Sequence, residues 1–334
     1  MAKQIGLYDN YHSLANLSVG GTEALVLFRK GFENYPAVID PTTGKEIACF
    51  GNYLVPDAMA LSPDGMTAVL GWKKLMGDPR ELGYEYELII WDVLHNQSQP
   101  IKVDFDINGL LWLDNSQFAL VTRANITLYN TKGEVIKVYE VTKRGSHHRI
   151  TRHADFIAVY GDKEILLLDS AWELQKKLRI GELLKTSSTG TFAPPFALAH
   201  DDMNVALITD KEKHAIWLWD VPSNKLVTKA LGDADITAIE WLSDGYSEER
   251  ARQHYVASLL YAEFLKSEGK SRIILWDISA GGSTEFVRVH GEVNRIIATQ
   301  DKIIIGTNGV HKDDATITIW DIKSLPMGNM RGYM

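Results

Sequence analysis

The chain has 334 residues, 45% hydrophobic and 23% charged, which supplies enough apolar material for a sizeable core and is not the composition of a disordered chain. A formal net charge of −8 disfavours nucleic-acid binding, because a phosphate backbone needs a concentrated basic surface. The single cysteine, Cys49, excludes an intramolecular disulfide framework, and no run of about 18 apolar residues is present to span a membrane, so the expected location is the cytoplasm.

In chain order, KQIGLYD (3–9) reads as a strand. The start, MAKQIGLYDNYHSLANL, has no continuous apolar core after Lys3, so no signal peptide is expected. A first unit ends on Ile39-Asp40, and its KEIACF is an expected outermost strand in which Cys49 packs as a small, inert apolar group. The second unit contains SPDG (62–65), where Pro presets φ and Gly tolerates a positive φ, so a tight hairpin is expected. KKLMGDPRELGYE (73–85) reads as a long loop, and LIIWDV (88–93) closes the unit. Further units end at Tyr129-Asn130 and Leu168-Asp169. The fifth reads as four β-prone runs: PPFALAH (194–200), NVALITD (204–210), AIWLWDV (215–221) and KLVTKAL (225–231). The sixth carries an insertion, SDGYSEERARQH (243–254), and ends in IILWDI (273–278). The seventh supplies only VNRIIAT (293–299), KIIIGTN (302–308) and TITIWD (316–321).

Seven endings thus recur: Ile39-Asp40, Trp91-Asp92, Tyr129-Asn130, Leu168-Asp169, Trp219-Asp220, Trp276-Asp277 and Trp320-Asp321, spaced by 38 to 57 residues. That loose period is the length of a four-stranded propeller blade. Full burial of one such Trp is worth roughly 4 to 6 kcal/mol as an upper bound, so a repeated aromatic can anchor a unit too small to stand alone.

These endings and the SPDG turn resemble the tryptophan-aspartate (WD) repeat β-propeller family over nearly the whole chain. The resemblance implies an all-β, seven-bladed β-propeller of four-stranded antiparallel blades, a single domain over 1–334, with the Trp-Asp pair ending the third strand of each blade. It implies that 3–9 completes the seventh blade and closes the ring, which removes a free sheet edge. It also sets His290, Thr307, Asp314 and Trp320 as the seventh blade's version of the family's hydrogen-bonded tetrad. Trp91, Asp92, Trp219, Asp220, Trp276, Asp277, Trp320 and Asp321 are then structural repeat positions. A double β-sandwich is the structural alternative.

No nucleotide-binding loop and no nucleophile elbow is present in the sequence, and no catalytic residue, cofactor or metal site is expected. KRGSHHRITRH (143–153) holds Lys143, Arg144, Arg149 and Arg152 and no acid. It reads either as a solvated turn with the strand that follows or as a surface for an acidic protein partner; adjacent histidines on a strand are poorly placed to share a metal. In a propeller its loop, 73–85 and GELLKTSSTGTFAPP (181–195) share one end of the blades. That gathers Lys73, Lys74, Arg80, Tyr84, Lys143, Arg144, Arg149, Arg152 and Phe192 as expected partner-binding residues, with Leu75 and Met76 as further apolar anchors. The expected function is a non-catalytic interaction platform. The alternative is a propeller hydrolase or lactonase with a metal or small-molecule site at the central channel, to which Asp57, Asp201, Asp233 and Asp235 would contribute.

Overall fold

The computed structural model describes residues 3–321 apart from 18–23, 52–55, 77–82, 141–146, 180–195, 199–203, 209–214, 243–257 and 309–315, and one to three residues at several other positions. Every regular element among the described residues is a β-strand. The N-terminal strand β1 (Lys3–Asp9) precedes six sheets of consecutive strands. The first sheet joins β2 (Tyr11–Leu17), β3 (Ala24–Lys30), β4 (Glu33–Ile39) and β5 (Glu46–Cys49). The second joins β6 (Ala58–Leu61), β7 (Thr67–Met76), β8 (Gly83–Asp92) and β9 (Gln97–Val103). The third joins β10 (Gly109–Trp112), β11 (Gln117–Val121), β12 (Asn125–Asn130) and β13 (Val135–Glu140). The fourth joins β14 (His147–His153), β15 (Phe156–Gly161), β16 (Glu164–Asp169) and β17 (Leu174–Arg179). The fifth joins β18 (Phe196–Leu198), β19 (Asn204–Ile208), β20 (Ala215–Asp220) and β21 (Lys225–Ala230), and the sixth β22 (Asp235–Leu242), β23 (Ser258–Leu265), β24 (Lys270–Asp277) and β25 (Gly282–His290).

The seventh sheet joins β26 (Glu292–Ala298), β27 (Lys302–Asn308) and β28 (Thr316–Asp321), and β1 returns as its fourth strand, paired antiparallel with β28 from Lys3↔Asp321 to Asp9↔Thr316. All seven endings read from the sequence fall at the end of a third strand. Seven separate four-stranded sheets set aside the double sandwich.

The sheets fall into two compact units. One comprises Leu14–Asp40 and Lys45–Ala193 and holds the first four sheets apart from Tyr11–Ser13 of β2; the other comprises Met1–Ser13, Pro41–Gly44 and Pro194–Met334 and holds the last three with β1.

Within the first unit, neighbouring sheets share cores. On β8, Ile89 and Trp91 pack toward the first sheet with Val38 and Phe50, while Leu88 and Ile90 pack toward the third with Leu110, Trp112 and Tyr129. Both faces are covered, which is why the run is continuously apolar instead of alternating. Tyr129 packs toward the second sheet and Leu168 toward the third. In the other unit Trp276 packs toward the fifth sheet and Trp320 toward the sixth. In these five sheets the large residue at the end of the third strand seals the seam with the sheet before it.

The polar residue that follows has its own task. Asp169 Oδ1 accepts from the backbone N–H groups of Ala171 (2.9 Å) and Glu173 (2.8 Å), and Asn130 Oδ1 from those of Lys132 and Glu134 (both 2.9 Å). Asp92 likewise accepts from His95 N–H at 2.9 Å, and Ser223 donates to Asp220. A short oxygen-bearing side chain at the strand's end folds the chain into its next turn.

The SPDG turn forms as its chemistry demands: Gly65 N–H donates to Ser62 O at 2.9 Å, Ser62 Oγ to Asp64 Oδ1 at 2.6 Å, and Gly65 has φ +74°. At Gly71 a Cβ would come within 2.8 Å of Ile107 Cγ2, so the second sheet has no room for a side chain there.

In the seventh sheet Trp320 Nε1 donates to Thr318 Oγ1 at 3.2 Å, Thr307 Oγ1 bonds Thr316 Oγ1 at 2.9 Å, and His290 is exposed; Asp314, the acid of the expected tetrad, lies outside the described residues. One expectation is corrected. The segment 73–85, read as a loop, is strand at both ends, because β-prone Tyr84 and Tyr86 and cross-strand Lys–Glu pairs extend the hairpin.

Candidate interaction surface

β7 and β8 outrun their neighbours. The β6 pairing stops at Ala58↔Gly71 and the β9 pairing at Tyr86↔Val103, so beyond these points β7 and β8 pair with each other alone, out to Met76↔Gly83. Asp57 closes the first open position on β7: its N–H donates to Gly71 O at 2.8 Å and its Oδ2 accepts Lys73 N–H at 2.6 Å.

The two faces of this ribbon differ. Residues opposed across an antiparallel pair share a face. Lys73 opposes Tyr86, and its Nζ lies 3.8 Å from the Tyr84 ring centroid and 6.0 Å from that of Tyr86. Tyr84 is 49% exposed, and Tyr86 Oη donates to Asp106. On the other face charges cancel: Lys74 pairs with Glu87, and Lys102 Nζ with Glu85 Oε1 at 2.7 Å. The hydrogen bond from Lys102 lowers the Glu85 pKa, and its counterpart raises that of Lys102.

Of the residues expected to bind a partner, Lys73, Lys74 and Tyr84 come together on this ribbon, which also contains the backbone of Leu75 and Met76. Lys74 belongs to the neutralised face. Arg149 and Arg152 are strand residues of β14, opposite Tyr160 and Ile157. Arg80, Lys143, Arg144 and Phe192 lie outside the described residues, as does 243–254. The repeat tryptophans Trp91, Trp219, Trp276 and Trp320 are buried, at 0%, 1%, 6% and 8% exposure.

Cys49 ends β5, and burial followed by the nearby Glu46 carboxylate raises its thiol pKa, which disfavours the reactive thiolate. Of the acids assigned to the channel alternative, Asp57 holds the ribbon edge and Asp235 pairs with Lys266 at 2.5 Å; Asp201 and Asp233 lie outside the described residues. Among the described residues no group of three or more His, Cys, Asp or Glu is placed to hold a metal ion, and no helix is long and apolar enough to cross a membrane.

A second tryptophan series escaped the sequence reading. Trp112 Nε1 donates to Ala60 O at 3.2 Å, reaching from β10 to β6, and Trp241 Nε1 donates to Ala197 O at 3.1 Å, reaching from β22 to β18. Each links the first strands of adjacent sheets. The signal was LLWLD beside IEWLSD, a Trp two residues before an Asp in the first and three before an Asp in the second, too irregular to register as a period.

No family model matches the sequence, and no curated protein matches it significantly. The fold has clear counterparts among solved structures. A chain of "Crystal Structure of Mitotic Checkpoint Complex" superposes with TM-score 0.63 at 12% identity, covering 96% of this chain and 91% of that one. "Crystal structure of BBS1N in complex with ARL6DN, soaked with mercury" gives 0.60 at 12% identity and 96% coverage of both chains. "KlHsv2 with loop 6CD replaced by a Gly-Ser linker" gives 0.55 at 10% identity, covering 91% and 89%. The chain has an all-β fold of the β-propeller type.

Proposed function

We propose that this chain is a non-catalytic protein-interaction platform of the WD-repeat kind, acting as a single domain over 1–334 in the cytoplasm. The observation that carries the reading is the β7–β8 ribbon, which extends beyond its sheet and exposes an aromatic ring beneath an ammonium group. Two structures with the same fold support the reading, one a chain of a mitotic checkpoint complex and the other BBS1N in complex with ARL6DN. The partner surface is Lys73, Lys74, Arg80, Tyr84, Lys143, Arg144, Arg149, Arg152 and Phe192, and it meets an acidic protein face. Support for the second half of this set is the acid-free run 143–153 in a chain of net charge −8.

The test is partner capture from a lysate, followed by kinetics for the Arg144→Glu/Arg149→Glu variant beside the parent at low and high salt. Steering by a basic patch predicts a slower on-rate for the variant at low salt and convergence of the two at high salt. Equal on-rates at both salt concentrations, in a folded variant, overturn the patch.

A further inference from the structure

We infer that the Lys73 and Tyr84 face of the β7–β8 ribbon docks an extended acidic segment of a partner protein, an inference that rests on the interaction role above and narrows it to one face of one element. The charge pattern selects the face. Lys74 and Lys102 are each matched by a glutamate on the opposite side, whereas no carboxylate pairs with Lys73 Nζ among the described residues. Asp57 accepts the Lys73 backbone N–H and Asp106 the Tyr86 hydroxyl, and neither forms an ion pair with the Lys73 ammonium.

The Lys73 ammonium retains three N–H donors while the two tyrosine rings hold it in place, so binding a carboxylate orders a side chain that is already restrained. Tyr84 adds an exposed apolar surface next to that charge.

The ribbon's shape selects an extended occupant. Beyond Ala58↔Gly71 and Tyr86↔Val103 strands β7 and β8 pair with each other alone, so a strand-like segment can lie along this face. The Lys73 ammonium lies over the Tyr84 ring, 3.8 Å from its centroid, so an acid of that segment sits on Lys73 while a neighbouring apolar side chain meets the exposed part of Tyr84.

The experiment uses the full chain and a fluorescein-labelled peptide, Glu-Ser-Val-Ser repeated twice, read by anisotropy. Two controls accompany it: the same peptide with Lys for Glu, and single-stranded DNA of similar length. Binding of the acidic peptide is expected to weaken about tenfold for Lys73→Glu and several-fold for Tyr84→Ala, to weaken with salt, and to be unchanged for Lys102→Ala. Lys73→Gln separates lost charge from repulsion and is expected to fall between parent and Lys73→Glu.

Any of three results overturns the inference: no binding of the acidic peptide, equal binding to parent and Lys73→Glu, or equal binding of the lysine peptide or DNA. Self-association that Lys73→Glu abolishes, seen by sedimentation, overturns it in favour of a second copy. Partner capture by Lys73→Glu at the parental level leaves the platform role standing while this docking face falls.

Discussion

At the scale of single residues, two buried side chains show how differently a shared core treats apolar and ionisable groups. Trp219, 1% exposed at the end of β20, is a large aromatic side chain taken almost wholly out of water. Trp219→Ala should cost roughly 3 to 5 kcal/mol in denaturant unfolding while the folded fraction keeps its partner affinity; a stable mutant that fails to bind would move Trp219 to the surface. Glu240, on β22, is a carboxylic acid held deep in the fold, with solvent reaching part of its side chain. Burial pushes its pKa up to about 7 from 4.5, with Arg295 and the Trp241 N–H that its Oε1 accepts at 3.0 Å opposing that rise. The native state therefore holds this proton more tightly than the unfolded chain does. The contribution is fully present below pH about 4.5 and is lost as pH rises through about 7. Glu240→Gln should flatten that decline, gaining on the order of 2 kcal/mol relative to the parent at pH 8 compared with pH 4.5, the full linkage value being reduced because solvent reaches the group. Parallel stability profiles for the two proteins, from urea midpoints across that range, would show that Glu240 titrates normally.

At the scale of elements, the repeating unit is a strand whose two faces serve two different cores. The third strands were legible in the sequence because this demand writes a continuous apolar run, ended by a large residue and a turn-forming Asp or Asn, as in Ile216 to Asp220. β1 was legible for the complementary reason that the seventh unit lacked a fourth strand. The ribbon was half legible: Lys73 and Tyr84 stood out, but periodicity has no means of showing that Lys74 pairs with Glu87, since cross-strand registry depends on the hairpin. The stitching between sheets left even less trace. Ser271, fully buried on β24, donates to Gly291 O at 2.8 Å and accepts Val293 N–H at 3.1 Å, tying the third strand of the sixth sheet to the start of the seventh. A lone serine in KSRIILWD gives no hint of this. Ser271→Ala leaves both partners unsatisfied in a buried site and should cost about 2 kcal/mol, whereas Ser271→Thr, which retains the hydroxyl, separates the hydrogen bonds from packing. The check is a pair of thermal melts with hydrogen exchange at Val293. Unaltered exchange there in Ser271→Ala would mean that water replaces the bond at no cost. The outer strands carry a further device. β13 is bulged against β12 between Leu128 and Tyr129, and β5 against β4 between Val38 and Ile39. Ile136 and Ile47 are exposed at these irregularities, which break the flat edge that another chain would need for pairing.

At the scale of the whole molecule, the β1–β28 pairing joins the two ends of the sequence, with Lys3 opposite Asp321 in a chain of 334 residues. Closing so long a loop costs entropy that grows only slowly with length, so it burdens the rate of folding more than the final stability. What it secures is an edge. Without β1, β28 would present the backbone of TITIWD along its open side, beside Ile317 and Ile319, which are 2% and 0% exposed in the complete sheet. An unpaired, apolar, β-branched edge is a template for intermolecular pairing. Removing residues 1–9 should therefore lower the melting temperature by several degrees or more and promote concentration-dependent aggregation on refolding. A synthetic peptide of residues 1–9, added in excess, should restore part of the lost stability, because it binds only the native edge. Differential scanning calorimetry together with light scattering measures both effects. A truncated protein that melts at the parental temperature, stays dispersed and ignores the peptide would show that the sheet holds without its fourth strand, and the stabilising role of β1 would have to be given up.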